Sequence, residues 1–168
     1  GKSDGLIEEL RAKMNAASDS MDYERAAEFR NYIAAAETIS EKQRVVISRR
    51  DDIDIVLLSE GLSGAHAVLF TVRDGKLSGR ESFFLGESGG IPQSELLAEF
   101  IKQYYHANVV IPKEILVAEL PADRDLLQDF LGSRRGSKVS IAVPKRGERR
   151  ALLELVKKDL SDMERSLD

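Results

Sequence analysis

The sequence predicts a chain of mixed α+β / α/β class: an N-terminal α-helical hairpin, then a domain of three antiparallel strands followed by α-β-α-β-α. Three observations carry that prediction. Asp74-Gly75 stands between two β-rich runs, and glycine takes φ > 0 there without steric cost, so the pair is a strong hairpin signal. Upstream, Leu6, Leu10, Met14 and Ala17 recur three to four residues apart, which is helical spacing. Downstream, the runs from Glu114 to Leu120 and from Lys138 to Val143 are nearly apolar and each is stopped by a proline, as expected of strands buried on both faces.

The elements follow in order. A helix is expected from Leu6 to Ala17 and a second from Tyr23 to about Lys42, with Asp22 or Ser20 as its cap and Ala26, Phe29 or Arg30, Ile33 and Ala34 on one side. Numerous alanines would let the two helices approach closely. A polar boundary at Arg49-Arg50-Asp51-Asp52 follows the short apolar run Val45-Val46-Ile47, and the domain border is placed near residue 45, giving a hairpin over 1–44 and a sheet domain over 45–168. Three strands are expected at 53–58, 65–72 and 78–85, the first pair joined by a loose connection from Gly61 to Gly64. After the loop Gly86 to Gly90, Ser94 is expected to cap a helix running through Glu95, Leu96, Leu97, Phe100, Ile101, Tyr104 and Tyr105. Asp123 opens the next helix, which Gly132 is expected to end. A last helix is expected from Arg149 to Leu167. Three antiparallel strands, then helix, strand, helix, strand, helix, is the element order of the ribonuclease H-like fold.

Composition narrows the chemistry. The 168 residues are 42% hydrophobic and 32% charged, with net charge −4, enough apolar material for a core and no global preference for nucleic acid. The absence of cysteine removes disulfides, thiolate metal sites and thiol catalysis, and suits a reducing cytoplasm. No apolar run approaches the ~18 residues of a membrane span. The chain starts Gly1-Lys2-Ser3 without a methionine, which reads as a fragment of something longer. The net charge conceals an asymmetry: between residues 132 and 158, Arg134, Arg135, Lys138, Lys145, Arg146, Arg149, Arg150, Lys157 and Lys158 face only Glu148 and Glu154.

A catalytic ribonuclease H-like site needs carboxylates converging on two divalent ions ~4 Å apart. One belongs inside the first strand, one at the end of the fourth, and a third acid or histidine near the last helix. Here the first strand's middle is Ile55-Val56-Leu57-Leu58. Asp52 and Asp54 lie at its entrance and Glu60 beyond its end, and Asp54 and Glu119 read as solvated strand-end residues. Glu119 ends the fourth strand, and Glu148 and Glu154 on the last helix sit among basic residues. One plausible ligand of three is not a site, so no catalytic residue, metal or cofactor is expected; Asp54 and Glu119 are the weak candidates. A metal-dependent DNA nuclease using Asp52, Asp54 and Glu119 is the alternative. His66 and His106, the only histidines, have no partner at ligand spacing and read as structural. The segment Gly132-Ser133-Arg134-Arg135-Gly136 reads as a helix end rather than a phosphate loop. Pro144-Lys145-Arg146-Gly147-Glu148-Arg149-Arg150 could hold phosphates or be a solvated basic face.

Two stretches carry a resemblance. Met14-Asn15-Ala16-Ala17 with Asp22-Tyr23-Glu24-Arg25-Ala26-Ala27-Glu28-Phe29-Arg30 resembles the UVR motif, departing from it in Tyr23, where Phe is commoner, and Asn31, where Asp is usual. Pro144 to Leu153, Phe83-Phe84-Leu85, Phe100 to Tyr105 and Ile111 to Leu116 resemble the central region of the UvrC family, a component of the bacterial excinuclease ABC. The resemblance covers about Leu6 to Asp159. It implies a cytoplasmic excision-repair role in which the hairpin binds the UvrB subunit through Met14, Tyr23, Glu24, Ala27, Phe29, Arg30 and Ile33, with possible self-association of hairpins. The charges of the basic segment itself carry the expectation of a weak, sequence-independent DNA contact through Lys145, Arg146, Arg149 and Arg150. The family's GIY-YIG nuclease, its Cys-rich segment, its C-terminal nuclease and its helix-hairpin-helix tail have no counterpart here; the hairpin is expected to recruit the partner, and the first strand without a central carboxylate marks the sheet domain as a catalytically inactive scaffold. A UVR-bearing adaptor of a stress-response system is the third reading.

Overall fold

The computed structural model describes residues 2–42, 45–61, 64–107 and 109–167, with backbone alone for 2–7, 34–42 and 166–167. Internal contacts divide the chain into two compact units, Gly1–Arg44 and Val45–Asp168.

The first unit is a helical hairpin of α1 (Lys2–Asp19) and α2 (Tyr23–Lys42). Its turn is tight. Met21 takes φ 62°, and the N–H groups of Ser20, Met21 and Asp22 donate to the carbonyls of Ala16, Ser18 and Ala17 at 3.1, 3.0 and 2.8 Å, so the last carbonyls of α1 are satisfied within the turn. Of the two expected caps, Asp22 is used: its Oδ1 accepts from the N–H of Arg25 at 3.2 Å. Leu10 and Met14 are half-buried and Ala17 and Ile33 are buried, the helical spacing expected of the inner stripe. The side chains of Leu6 and of Ala34 to Ala36 lie outside the described ones.

The second unit holds a five-stranded sheet in the order β3-β2-β1-β4-β5. The strands are β1 (Ile53–Gly61), β2 (Gly64–Arg73), β3 (Lys76–Gly86), β4 (Glu114–Val117) and β5 (Ser140–Ala142). The helices are α3 (Gln93–His106), α4 (Arg124–Arg135) and α5 (Gly147–Leu167). β1 pairs antiparallel with β2, which pairs antiparallel with β3, while β1-β4 and β4-β5 are parallel. This mixed sheet with helices is the ribonuclease H-like arrangement expected. Strands alternate their side chains between faces. Val56, Ala67, Leu69, Ile115, Val117 and Ile141 meet α3 and α4 through Leu97, Phe100, Ile101, Tyr105, Leu127 and Leu131. Ile53, Ile55, Leu57, Val68, Phe70, Val72 and Leu116 meet α5 through Leu152, Leu153, Val156 and Leu160, with Ile47 beside them. Phe83 of β3 extends the first face, packing its ring on Phe100 and Tyr104 at 5.3 and 5.5 Å between centroids.

Several boundaries differ from the sequence expectation. The three meander strands are longer, because pairing continues to Gly61↔Gly64 at one end of β1-β2 and to Arg73↔Lys76 at the β2-β3 turn. The tip of the connection between Gly61 and Gly64 lies outside the described residues. Ser94 does not cap α3. Pro92 is the N-cap, its carbonyl accepting from Glu95 and Leu96, while the Ser94 carbonyl accepts from Ala122. Gly132 does not end α4. The helix runs on to Arg135, and Gly136 at φ 83° returns its N–H to the Gly132 carbonyl, a left-handed cap that glycine takes without strain. β4 and β5 are shorter than their apolar runs.

The β2-β3 turn is also a docking point. Asp74 (φ 56°) and Gly75 (φ 75°) are both left-handed, as a type I′ turn requires. The Gly75 carbonyl accepts from Val46 and Ile47, its N–H donates to the Asp51 carbonyl, and Asp52 Oδ1 accepts from Asp74 N–H at 3.0 Å. A Cβ on Gly75 would stand 2.7 Å from the Ile47 carbonyl oxygen and 2.8 Å from that of Arg49. Gly75→Ala therefore meets a steric penalty beyond the left-handed one of about 1–2 kcal/mol. We expect a loss of about 2 kcal/mol or more in urea unfolding; a loss below ~0.5 kcal/mol would show that the 45–52 segment is not held by this turn.

Candidate functional site

Asp54, the second residue of β1, is not the solvated strand-end residue expected: it is 1% exposed. Its carboxylate accepts from Arg73 Nη1 at 2.8 Å and from the Tyr105 hydroxyl. Burial raises its pKa above the ordinary value, and the Tyr105 hydrogen bond and the Arg73 charge pull it only part of the way back. The same burial, with Asp54 adjacent, holds the Tyr105 hydroxyl well above its ordinary pKa and therefore protonated. The physical reason for the difference is strand alternation. Asp54 shares a face with Val56, and that face is covered by α3, whose Tyr105 meets the acid.

Asp54 and Glu119 cannot share an ion. In the parallel register Asp54 is opposite Ile115, and Glu119 lies exposed four residues further along, about 13 Å at ~3.3 Å per residue. Metal–oxygen bonds need ~2.0–2.6 Å. Asp52 is exposed and faces the Asp74 turn. Among the described residues no three of His, Cys, Asp and Glu gather where they could hold a metal. The carboxyl ends of β1 and β4, where open α/β sheets usually bind ligands, do carry a cleft of ≈ 210 Å³. Its floor includes Val56, Leu58, Leu97 and Leu160, and its rim includes Glu119, Lys157 and Glu164. Glu164 already accepts from the Ser59 hydroxyl. The sheet positions that would present a central acid there are apolar.

The basic segment is divided by the structure. Arg149 is bound inward, Nε to Glu114 Oε2 at 2.8 Å and Nη2 to Asp51 Oδ2 at 3.3 Å, and Lys113 holds the other Asp51 oxygen at 2.8 Å. The Lys113 hydrogen bond lowers the pKa of Asp51, and the Glu114 hydrogen bond raises that of Arg149. Arg150 donates to the Pro144 carbonyl at 3.2 Å and pairs with Glu154 at 2.7 Å. Glu148, in the first turn of α5, accepts from Ser48 Oγ at 2.6 Å and Ser48 N–H at 2.8 Å, which lowers its pKa. Lys145 and Arg146 are exposed. Sequence spacing alone could not separate the two outward residues from the two inward ones.

On the hairpin, Met14, Tyr23, Ala27 and Arg30 line one concavity with Asn15, Ser18 and Ala26, because positions three to four apart on α2 face the same stretch of α1. Tyr23 is exposed, Glu24 is exposed outside this lining, and Ile33 is buried. Phe29 is half-buried beneath the Arg25 guanidinium, 6.0 Å from its centroid. Of the histidines, half-buried His66 packs on Phe84 at 5.1 Å, and the His106 carbonyl accepts from Arg134 at 3.0 Å.

Asp54 carries a pH prediction. Its pKa is raised on folding, so its contribution to stability is full below the unfolded value of about 3.8 and is lost as pH rises through the folded value. The stability of the native protein minus that of Asp54→Asn should therefore be larger near pH 4 than at pH 7.5, read by urea unfolding at both. A difference that is flat or grows with pH contradicts the burial account.

Known proteins share both units. A family model described as the UvrC ribonuclease H-like domain matches residues 52–164, and one described as the UvrB/uvrC motif matches residues 4–39. The UvrABC system protein C of Caldanaerobacter subterraneus subsp. tengcongensis is 40% identical over 156 residues, 93% of this chain and 25% of that protein. That of Symbiobacterium thermophilum is 40% identical over 156 residues, with the same shares, and that of Clostridium perfringens 37% over 163 residues, 97% and 26%. The chain spans about a quarter of the length of these curated relatives. A matched helical-hairpin motif followed by a matched sheet domain, in that order and over most of the residues, means that this chain belongs to the UvrC family.

Proposed function

We propose that this chain is the recruiting and scaffolding part of a UvrC excision-repair nuclease, working in the cytoplasm. Its hairpin docks the UvrB subunit, and its sheet domain is a catalytically vacant ribonuclease H-like platform with a weak DNA contact. The observation that carries the first half is the hairpin concavity: four residues of the UVR-like motif, Met14, Tyr23, Ala27 and Arg30, line one groove. Two short helices cover little of their own apolar stripe, and a unit of ~40 residues is at the limit of independent folding. A partner hairpin laid along such a groove would bury an exposed tyrosine beside small alanines, the usual anchor chemistry of an interface. Glu24, Phe29 and Ile33 lie outside the groove's lining and complete the expected partner-binding set, and a second copy of the hairpin could occupy the same groove in the absence of the partner.

The second half rests on the sheet. The two candidate acids stand at opposite ends of paired parallel strands, and the first strand offers no other carboxylate before Glu60. No helix among the described residues is long and apolar enough to cross a membrane.

Tyr23 gives the cleanest test, since it is 66% exposed and its loss should not touch folding. Tyr23→Ala should weaken binding to UvrB, measured by calorimetry, by about 30-fold, the equivalent of an anchor worth ~2 kcal/mol, with an unchanged melting curve. Unaltered affinity in both Tyr23→Ala and Arg30→Ala would overturn the hairpin's assignment.

A further inference from the structure

We infer that Arg49 and Arg50 join Lys145 and Arg146 in a single outward cationic surface for the phosphate backbone of nucleic acid, and that Arg149 and Glu148 position this surface. The inference rests on the proposed DNA contact and changes which residues make it.

Ser48 links the two pairs. Its N–H and hydroxyl both bond the Glu148 carboxylate, 100 residues away, at 2.8 and 2.6 Å. Arg49 and Arg50 follow Ser48 directly, and Lys145 and Arg146 lie within one helical turn before Glu148. With consecutive Cα atoms 3.8 Å apart, the two pairs lie within roughly 20 Å of each other, a span of about six phosphates along one strand at 3.4 Å each. The acids nearby are occupied. Asp51 is held by Lys113 and Arg149, Glu114 by Arg149, and Glu154 by Arg150. The outward cations are Arg49, Lys145 and Arg146, all exposed, and Arg50, whose side chain is 86% exposed and pairs with Asp74 at 3.9 Å; the exposed acids beside them, Asp52 and Asp74, are tied to one another by the Asp74 N–H bond to Asp52 Oδ1.

Both pairs are held in place. Asp51, anchored by two cations and by its carbonyl's bond from Gly75 N–H, fixes the chain just after Arg50. The Arg150 bond to the Pro144 carbonyl fixes the chain just before Lys145. Neither segment that carries the four cations, 45–52 or 144–150, holds an aromatic residue. Protein interfaces depend on such desolvated anchors, whereas a phosphate backbone is bound by charge and counterion release, so a nucleic acid is the occupant this chemistry favours over an acidic protein.

The test uses the whole chain and a fluorescein-labelled DNA duplex of about 30 base pairs, with anisotropy read across a KCl series. Arg49→Gln/Arg50→Gln should reduce the slope of log K against log salt by about 1.8, as should Lys145→Gln/Arg146→Gln, and the four together by about 3.6. Glu148→Ala discriminates further. It removes a negative charge, so a surface acting by net charge alone would bind tighter; release of the Arg49-Arg50 segment predicts binding at least about threefold weaker. Ser48→Ala, which leaves the charge unchanged, should weaken binding in the same direction should Glu148→Ala fail to fold. An effect of the Lys145/Arg146 pair with none of the Arg49/Arg50 pair overturns this inference and leaves the DNA contact standing. No effect of any variant overturns both. Tighter binding by Glu148→Ala, or by Ser48→Ala, overturns the positioning role.

Discussion

From Ile53 to Leu57 every residue of β1 is buried, because α3 and α4 cover one face of the sheet's centre and α5 the other. The strand pairs on both edges as well, antiparallel with β2 and parallel with β4. Such a strand has no solvated face on which to hold an ionised acid cheaply. Burying an unpaired carboxylate costs several kcal/mol, so the one acid inside it, Asp54, needs both Arg73 and the Tyr105 hydroxyl, and its pKa is raised even so. The same coverage leaves Val56 and Leu58 where a metal-binding acid would otherwise reach the cleft at the strand's carboxyl end. The scaffolding proposal follows from this packing.

A second consequence concerns the opposite end of the sheet. The starts of β1 and β4 and the first turn of α5 are joined by ions and hydrogen bonds among Asp51, Lys113, Glu114, Arg149, Ser48 and Glu148. Arg149 there is 30% exposed and engaged twice, unlike an isolated surface pair, which contributes little. The network spends its charges on geometry and leaves the neighbouring exposed cations available for a partner.

Sequence alone reached the architecture because its signals were local and periodic. Asp74-Gly75 is a strong tight-turn signal, and the β-rich runs Ile53 to Leu58 and Ala65 to Val72 on the same side of it read as strands. The two proline-stopped runs placed the parallel strands, and the joint order of motifs located the family. What stayed hidden depended on contacts between distant residues. Asp54 meets Tyr105 across 51 positions, and Arg149 meets Asp51 across 98. No pattern within a window separates a buried acid from a solvated one, or Arg149 from Arg146. Helix ends missed by a few residues, at Ser94 and Gly132, failed for a related reason: several residues could cap, and the tertiary path chose Pro92 and Gly136.

Catalytic vacancy of the sheet domain is the claim most open to direct measurement. The chain is incubated with bubble-containing or nicked DNA in Mg²⁺ and in Mn²⁺, alongside Glu119→Ala. We predict no cleavage above the metal-only background in either. Cleavage by the native chain that disappears in Glu119→Ala would contradict vacancy and establish an active nuclease centre at the carboxyl ends of β1 and β4.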